Sequence, residues 1–426
     1  MEVVIAASRT GLTRYARSEI IQNTARDETR AYVRVVSGDK LATATTNQLD
    51  SEHMSAAAAR ALEASRASRP DADWPGPAAP GEVGRATPLF RWHEPTAASS
   101  ARERAEAVAG ILRTTSGHDA AGIYETSAHA YSVFSSTGID CYDAHTRCVV
   151  TCLVDTGRGT GWGEASSHAS DDVDVEAAAR RAVTKAEAGA PSADVRPGAY
   201  EVVLEPAAVA TLLEYLSYMG FGAKQVIEGE SFLASRSGQE VAARAITVAD
   251  DVAHPASVGI AFDFEGVPKK RVAVIDRGTA TGPVTDLRTA RKLGTASSGH
   301  FSGSNEFGPY ASNLVMEAGD ADTEELVGAV STGLLVTRFH YVNVLDRPAT
   351  LLTGMTRDGT YRIRGGEQAE PVRNLRFTQS VLDALASTED VGRELTAFAP
   401  EFGSFGSTAA PGARLGEFNF TSTTSH

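Results

Sequence analysis

Cysteine is scarce: the 426 residues hold three, Cys141, Cys148 and Cys152, all in the N-terminal half. An odd count argues against a disulfide framework and for a reducing compartment, so a cytoplasmic location is expected. Long apolar runs are missing as well. No stretch approaches the ~20 residues of a bilayer-crossing helix. The apolar patch at residues 3–7 is too short for a signal peptide and has no basic leader, so it reads as a strand. Positive charge is in deficit, 40 Lys and Arg against 54 Asp and Glu, for a net charge of −14. Nucleic acid is therefore not a natural partner of the surface as a whole. The bias of 34 Arg over six Lys has no functional reading.

Motifs of several enzyme classes are missing too. No histidine lies between His168 and His254, so no metal-binding helix with paired histidines exists there. The sole His-Glu pair, His93-Glu94, runs straight into Pro95, and Ala97 and Ala98 stand where a second histidine would sit. It reads as a loop histidine, not a zinc ligand. No Gly-x-Ser-x-Gly elbow occurs, and Ser302 within residues 299–303 is not that pattern. No phosphate-binding glycine loop with a following lysine appears.

What is present is enough chain for two or three domains with sizeable cores. The hydrophobic fraction of 42% and charged fraction of 22% are ordinary for a globular protein. The organising stretch is residues 206–230, PAAVATLLEYLSYMGFGAKQVIEGE. A strand at 200–204 leads into a helix over 207–219. Leu212, Leu213, Leu216 and Met219 recur at the three-and-four spacing of one buried face. Only Glu214, Ser217 and Tyr218 are polar on the other register, and a Gly-Phe-Gly break at 220–222 ends the helix.

Upstream, residues 1–7, 20–23, 31–36, 122–133, 138–142 and 147–154 read as strands, with a glycine-rich hairpin at 157–163. Helices are expected at 50–65, capped by Asp50 or Ser51, at 99–112 and at 171–188. Residues 69–88, with five prolines, are a loop. A faint strand-then-helix repeat recurs at an offset of about 120 residues. Residues 189–198, with Pro191 and Pro197, read as a linker. Cys148 and Cys152, at even spacing on one strand, face one side as small buried hydrophobes.

Downstream, strands are expected at 271–276, 313–317, 334–340, 360–364 and 372–377. Helices interrupt at 323–331, where Glu324 and Glu325 suit the first turn, and at 378–386. Residues 403–412 read as a loop and 421–426 as a polar tail. Many short strands between glycine turns favour antiparallel sheets or a barrel. The expected fold class is α+β in two domains. Residues 1–190 form an N-terminal layered sheet-and-helix domain, and 199–426 a C-terminal, mainly antiparallel, barrel-like β domain with helices.

Several of these stretches resemble the TldD/PmbA family, specifically its PmbA (TldE) branch. They are 12–23 (LTRYARSEIIQN), 220–240 (GFGAKQVIEGESFLASRSGQE), 289–303 (TARKLGTASSGHFSG), 312–319 (SNLVMEAG), 324–337 (EELVGAVSTGLLVT), 353–359 and 371–374. The ordered set carries the resemblance, since none alone is a catalytic motif. Family members work as peptidases or peptidase-related subunits. The resemblance implies that a TldD-type chain carries a zinc-binding His-Glu-x-x-x-His/Asp on the helix matching 207–219, completed by a cysteine near the C-terminus. Here that helix is apolar, and the cysteine position falls near 402–403, occupied by Phe402 and Gly403. Members usually carry a helix before the first strand, whereas this chain begins almost at a strand. Either that helix is absent or the start codon is misassigned.

The expected function is thus that of a non-catalytic, metal-free subunit. It would pair with a TldD-like zinc metallopeptidase on a peptide or peptide-derived substrate, with zinc in the partner and none here. A related branch serves natural-product maturation, so the substrate could be a biosynthetic intermediate. The alternative is a stand-alone binding or regulatory homodimer, and a third reading is a metal-independent hydrolase using His300 or His340. Candidate cleft or partner-contact residues are His300 in its Ser-Gly-His turn, His340 and Asn343 after the Gly-Leu-Leu-Val-Thr segment, and Arg357 with Asp358. The Asp358-Gly359 pair itself reads as a hairpin turn.

Overall fold

The computed structural model describes residues 1–190, 194–402 and 405–423. Six antiparallel strands form the first sheet: Glu2–Ala16, Glu19–Ser37, Lys40–Thr46, Asp119–Ser135, Asp140–Asp155 and Thr160–Ser167. In space the order is third, second, first, fourth, fifth, sixth. The two three-strand units, each followed by a helix, meet at the first and fourth strands, as the faint repeat suggested. Helices Ser51–Ala67, Ala101–Thr114 and Val175–Glu187 cover one face. Asp50, Ser100 and Asp174 cap them through side-chain oxygens. Tyr15, Tyr124, Cys148, Val150 and Cys152 bury against Val108, Ile111 and the alanines of the third helix.

Strand alternation sends the opposite residues, Cys141, Asp143, His145 and Arg147, towards the C-terminal domain. There the Cys141 thiol donates to Gly266 O and the Asp143 carboxylate accepts from Ala261 N. The Arg147 guanidinium donates to Gly406 O.

The C-terminal half contains a five-strand barrel. Gly198–Leu204, Ala413–Thr423, Leu375–Ser380, Leu351–Arg364 and Thr332–Asp346 follow one another, and the last pairs back to the first. A second six-strand sheet includes Val248–Asp250, Asn313–Met316 and Ser407–Ala410. Helix Pro206–Gly220 packs between the barrel strand Thr332–Asp346 and the sheet strand Ser407–Ala410. Eleven of its 15 residues are buried, including Glu214 and Ser217. Both its apolar and its polar registers therefore face protein.

Several expectations change. The strands at 1–7, 20–23 and 31–36 are one long hairpin, and 122–133 belongs to a 17-residue strand. Asp358-Gly359 is not a hairpin turn. It sits inside strand Leu351–Arg364, where pairing slips between Val336↔Thr360 and Arg338↔Arg357, a β-bulge with Asp358 at φ +54°. The loop at 403–412 contains the buried strand Ser407–Ala410. The tail at 421–426 is strand as far as Thr423. Of the linker, Pro191 and residues 192–193 lie outside the described residues, as do Gly403, 404 and 424–426.

Candidate functional site

The helix Pro206–Gly220 and the segment at 402 do meet. The Phe402 ring stacks on Tyr218 at 5.0 Å between centroids and meets Tyr215 edge-on at 4.9 Å. Tyr218 also faces Phe307, and the Arg347 guanidinium lies 4.7 Å from its ring centre. Where the resemblance would place metal ligands, aromatic rings are packed instead.

The polar residues of the helix are already engaged. Glu214 accepts from Thr408 Oγ1 (2.8 Å) and from the Glu401 amide (2.7 Å). Burial raises its carboxyl to about 7 against those two hydrogen bonds, with Glu401 and Glu164 adding to the rise. Ser217 donates to Ala311 O (2.8 Å). Neither is free to ligate, and among the described residues no three His, Cys, Asp or Glu side chains converge as a metal site. Zinc does not fit this helix.

Next to the aromatic cluster is a cavity of about 120 Å³, with Phe402, Phe405 and Phe264 among its walls and His300, Lys269 and Tyr310 as polar lining. His300 is 1% exposed. Its Nδ1 pairs with Ser298 Oγ (2.9 Å), and its Nε2 lies 3.0 Å from Asp250 Oδ1. The Ser298 hydroxyl is also held by the Thr285 amide (2.7 Å), so this serine, histidine and aspartate do not form a nucleophilic triad with an exposed hydroxyl.

Burial would raise the Asp250 carboxyl, but His300, Lys269 and the Asn313 amide hold it down to about 2. Lys269 Nζ donates to Ser312 Oγ (3.1 Å) and Asn313 Oδ1 (3.2 Å) and lies 4.9 Å from the Phe405 ring centre. Its surroundings lower its pKa through desolvation, with Asp250 and Asp263 opposing. The residue as a whole is half-buried and lines the cavity. Asp263 is raised to about 6 by burial, although three backbone amides donate to it. Burial pushes Glu265 up as well, helped by Asp263 and Asp286.

Tyr131 bridges this cavity to the first sheet. Its ring packs on Phe264 (5.7 Å) and Phe405 (5.8 Å), then on His145 (6.2 Å), which stacks on His129 (5.1 Å). Among the described residues neither ring nitrogen of His145 has a hydrogen-bond partner. Burial, with His129, Arg147 and Lys269 nearby, holds it well below the usual imidazole range. His129 falls to about 4 for the same first reason, with Arg147 adding. Beyond His129 and Tyr131 an open groove of about 740 Å³ runs over the outer strands past Ser8, Arg26 and Arg30.

The sequence-nominated residues thus fall into two groups. His300 lines the cavity. His340, Arg357 and Asp358 sit together on the barrel, where burial and then the Arg357 and Arg338 charges lower the His340 pKa. Asp358 accepts from Thr160 Oγ1 (2.9 Å) and Arg338 Nε (3.0 Å), so it joins the two domains. Asn343 is exposed and donates to Tyr341 O (3.0 Å). Lys269, Asp250 and Tyr310 were not nominated. They arrive from separate segments, and no local spacing marks them.

Three family models match in chain order. They are described as PmbA/TldA metallopeptidase domain 1 (residues 1–65), central domain (94–189) and C-terminal domain (197–422). Among curated proteins, a metalloprotease of Methanothermobacter thermautotrophicus is 24% identical over 52% of this chain and 49% of its own length. One of Archaeoglobus fulgidus is 28% identical over 42% of each. The matches thus span about half the length of these relatives or less. Among solved structures, TldE from Thermococcus kodakarensis superposes with TM-score 0.88 at 19% identity, covering 99% of this chain and 96% of its own. A protein of Thermotoga maritima described as a putative modulator of a DNA gyrase gives 0.86 at 19% identity, covering 99% and 95%. The ordered family matches, the C-terminal one alone spanning over half the chain, establish that this protein belongs to the TldD/PmbA metallopeptidase family.

Proposed function

We propose that this chain is the metal-free, non-catalytic subunit of a heteromeric TldD/TldE-like metallopeptidase. Its TldD-like partner would supply zinc and the activated water. The observation that carries this reading is the state of helix Pro206–Gly220. Glu214 and Ser217 are spent on internal hydrogen bonds, and Phe402 stacks over Tyr218. The likeness to TldE is a likeness of fold and agrees with it. In this role the chain completes a cleft that holds an extended peptide or peptide-derived substrate, natural-product intermediates included, through backbone pairing and side-chain pockets. His300 lines that cleft, whereas His340, Asn343, Arg357 and Asp358 lie on the barrel.

Native mass spectrometry of the chain co-expressed with a TldD-like protein from the same genome tests the proposal. A one-to-one complex holding one zinc is expected. A metal-free homodimer that ignores the TldD-like protein would instead favour a stand-alone binding protein. Stoichiometric zinc and peptide cleavage by the chain alone would overturn the non-catalytic assignment.

A further inference from the structure

The cavity beside His300 has a composition that selects its occupant. Phe264, Phe301, Phe402 and Phe405 stand in its wall, and its volume is about 120 Å³. An apolar cavity of roughly 150 Å³ is large enough for benzene. This one therefore takes a leucine- or isoleucine-sized group and excludes an indole.

Lys269 belongs to its polar lining. An ammonium has three N–H donors, and among the described residues Lys269 Nζ has two acceptors, Ser312 Oγ and Asn313 Oδ1. The third N–H is left for an occupant of the cavity that Lys269 lines. The charge of that occupant is constrained as well. Two carboxyl groups, Asp250 and Asp263, already act on Lys269, and His300 Nε2 lies 3.0 Å from Asp250 Oδ1. A carboxylate entering there would bring a third buried carboxyl group to one lysine, which is costly. A neutral carbonyl oxygen accepts the same N–H at no such cost.

We propose that this cavity is a subsite for one medium-sized aliphatic side chain of a peptide, whose adjoining neutral amide carbonyl accepts a hydrogen bond from Lys269. The proposal rests on the reading of the cleft as peptide-binding and adds its side-chain and charge preference. The open groove past His129 and Tyr131 then carries the rest of an extended chain, with Tyr131 in contact with both regions.

The test uses the full chain without a partner and four capped probes, N-acetyl-leucine, -glycine and -tryptophan methylamides and N-acetyl-leucine with a free carboxylate. Binding is followed by NMR shift titration. The leucine amide is expected to bind about tenfold or more tighter than the glycine amide, the transfer preference of a buried leucine. The tryptophan amide and the free acid should both be weaker than the leucine amide. Lys269→Met, which keeps the aliphatic stem, should weaken the leucine amide about tenfold. Phe405→Trp, which fills the space, should abolish the leucine preference, with circular dichroism verifying that both variants are folded. Equal binding of the leucine and glycine amides, or an unchanged affinity in Lys269→Met, overturns the subsite. These readouts need no partner. A chain that binds the leucine amide but forms no zinc complex contradicts the heteromeric reading alone, and a chain that forms the complex without side-chain preference contradicts the subsite alone.

Discussion

At the scale of single residues, Glu214 shows how this helix departs from a metal-binding one. A carboxylate kept in this position is buried beside Glu401 and Glu164, and its pKa rises from 4.5 to about 7. The folded chain therefore holds more protons than the unfolded chain between those values. Stability from this site is fully present below pH 4.5 and is lost as pH rises through about 7. The shift corresponds to roughly 3 kcal/mol. Glu214→Gln cannot ionise, so its urea-unfolding stability should fall less between about pH 5 and about pH 8 than the parent's, by that order. An identical fall in both proteins would show that Glu214 is not the titrating group. Asp250 has the opposite sign. Its pKa is depressed to about 2 from 3.8, so its contribution is present above 3.8 and disappears as pH falls towards 2. Asp250→Asn leaves Lys269 without that counter-charge and His300 Nε2 without its carboxylate partner. It should cost about 3 kcal/mol near neutral pH, measured by urea denaturation; a neutral outcome would mean the pair adds nothing over its amide isostere.

At the scale of elements, strand Thr160–Ser167 and helix Val175–Glu187 illustrate a packing set by absent side chains. A Cβ on Gly161 would stand 2.0 Å from Ala182 O, and one on Gly163 would stand 1.9 Å from Ala178 O. The helix backbone lies directly on the strand because alternate strand positions are bare. Gly163→Ala must push the helix away and should lose about 3 kcal/mol or more, with a matching fall in the thermal midpoint. Retention of parental stability would mean the two elements separate at no cost.

How much was legible also divides by element. The three capped helices and the central helix were readable because their apolar spacing and cap residues are local. The long hairpin Glu2–Ala16 and Glu19–Ser37 was not, since residues 19–28 are exposed on both faces and show no alternation. Pairing, not pattern, makes them strands. Ser407–Ala410 is small-residue sequence with little strand preference, yet it is buried between two neighbouring strands. At Asp358-Gly359 the local turn signal was overridden by the bulge that aims Asp358 at Thr160 and Arg338. In the site, His300 stood out between glycines in a family-like segment. Lys269 and Asp250 gain meaning only once the chain brings their separate segments together.

At the scale of the whole molecule, side-chain contacts join the first sheet and its helices to the C-terminal domain. Two polar ties do this on the barrel side. Lys185 donates to Glu205 (2.5 Å) and Thr337 (2.8 Å), while Tyr361 Oη donates to Lys185 O (3.0 Å). Asp358 binds Thr160 from the first sheet and Arg338 from the barrel, and the Arg338 guanidinium lies 3.9 Å from the Trp162 ring centre. On the other side, Arg91 donates to Ala253 O (3.0 Å) and His254 O (2.8 Å). Removing Asp358 would leave Arg338 with its stacking partner but without its buried carboxylate, and would free Thr160 as well. Asp358→Ala should therefore cost about 3 kcal/mol. Hydrogen exchange should accelerate in Thr160–Ser167 and Leu351–Arg364 before it does in the helix-covered core of the first sheet. Faster exchange confined to Leu351–Arg364 would assign Asp358 to barrel stability alone. Acceleration in both strands would identify this carboxylate as a link between the first sheet and the barrel.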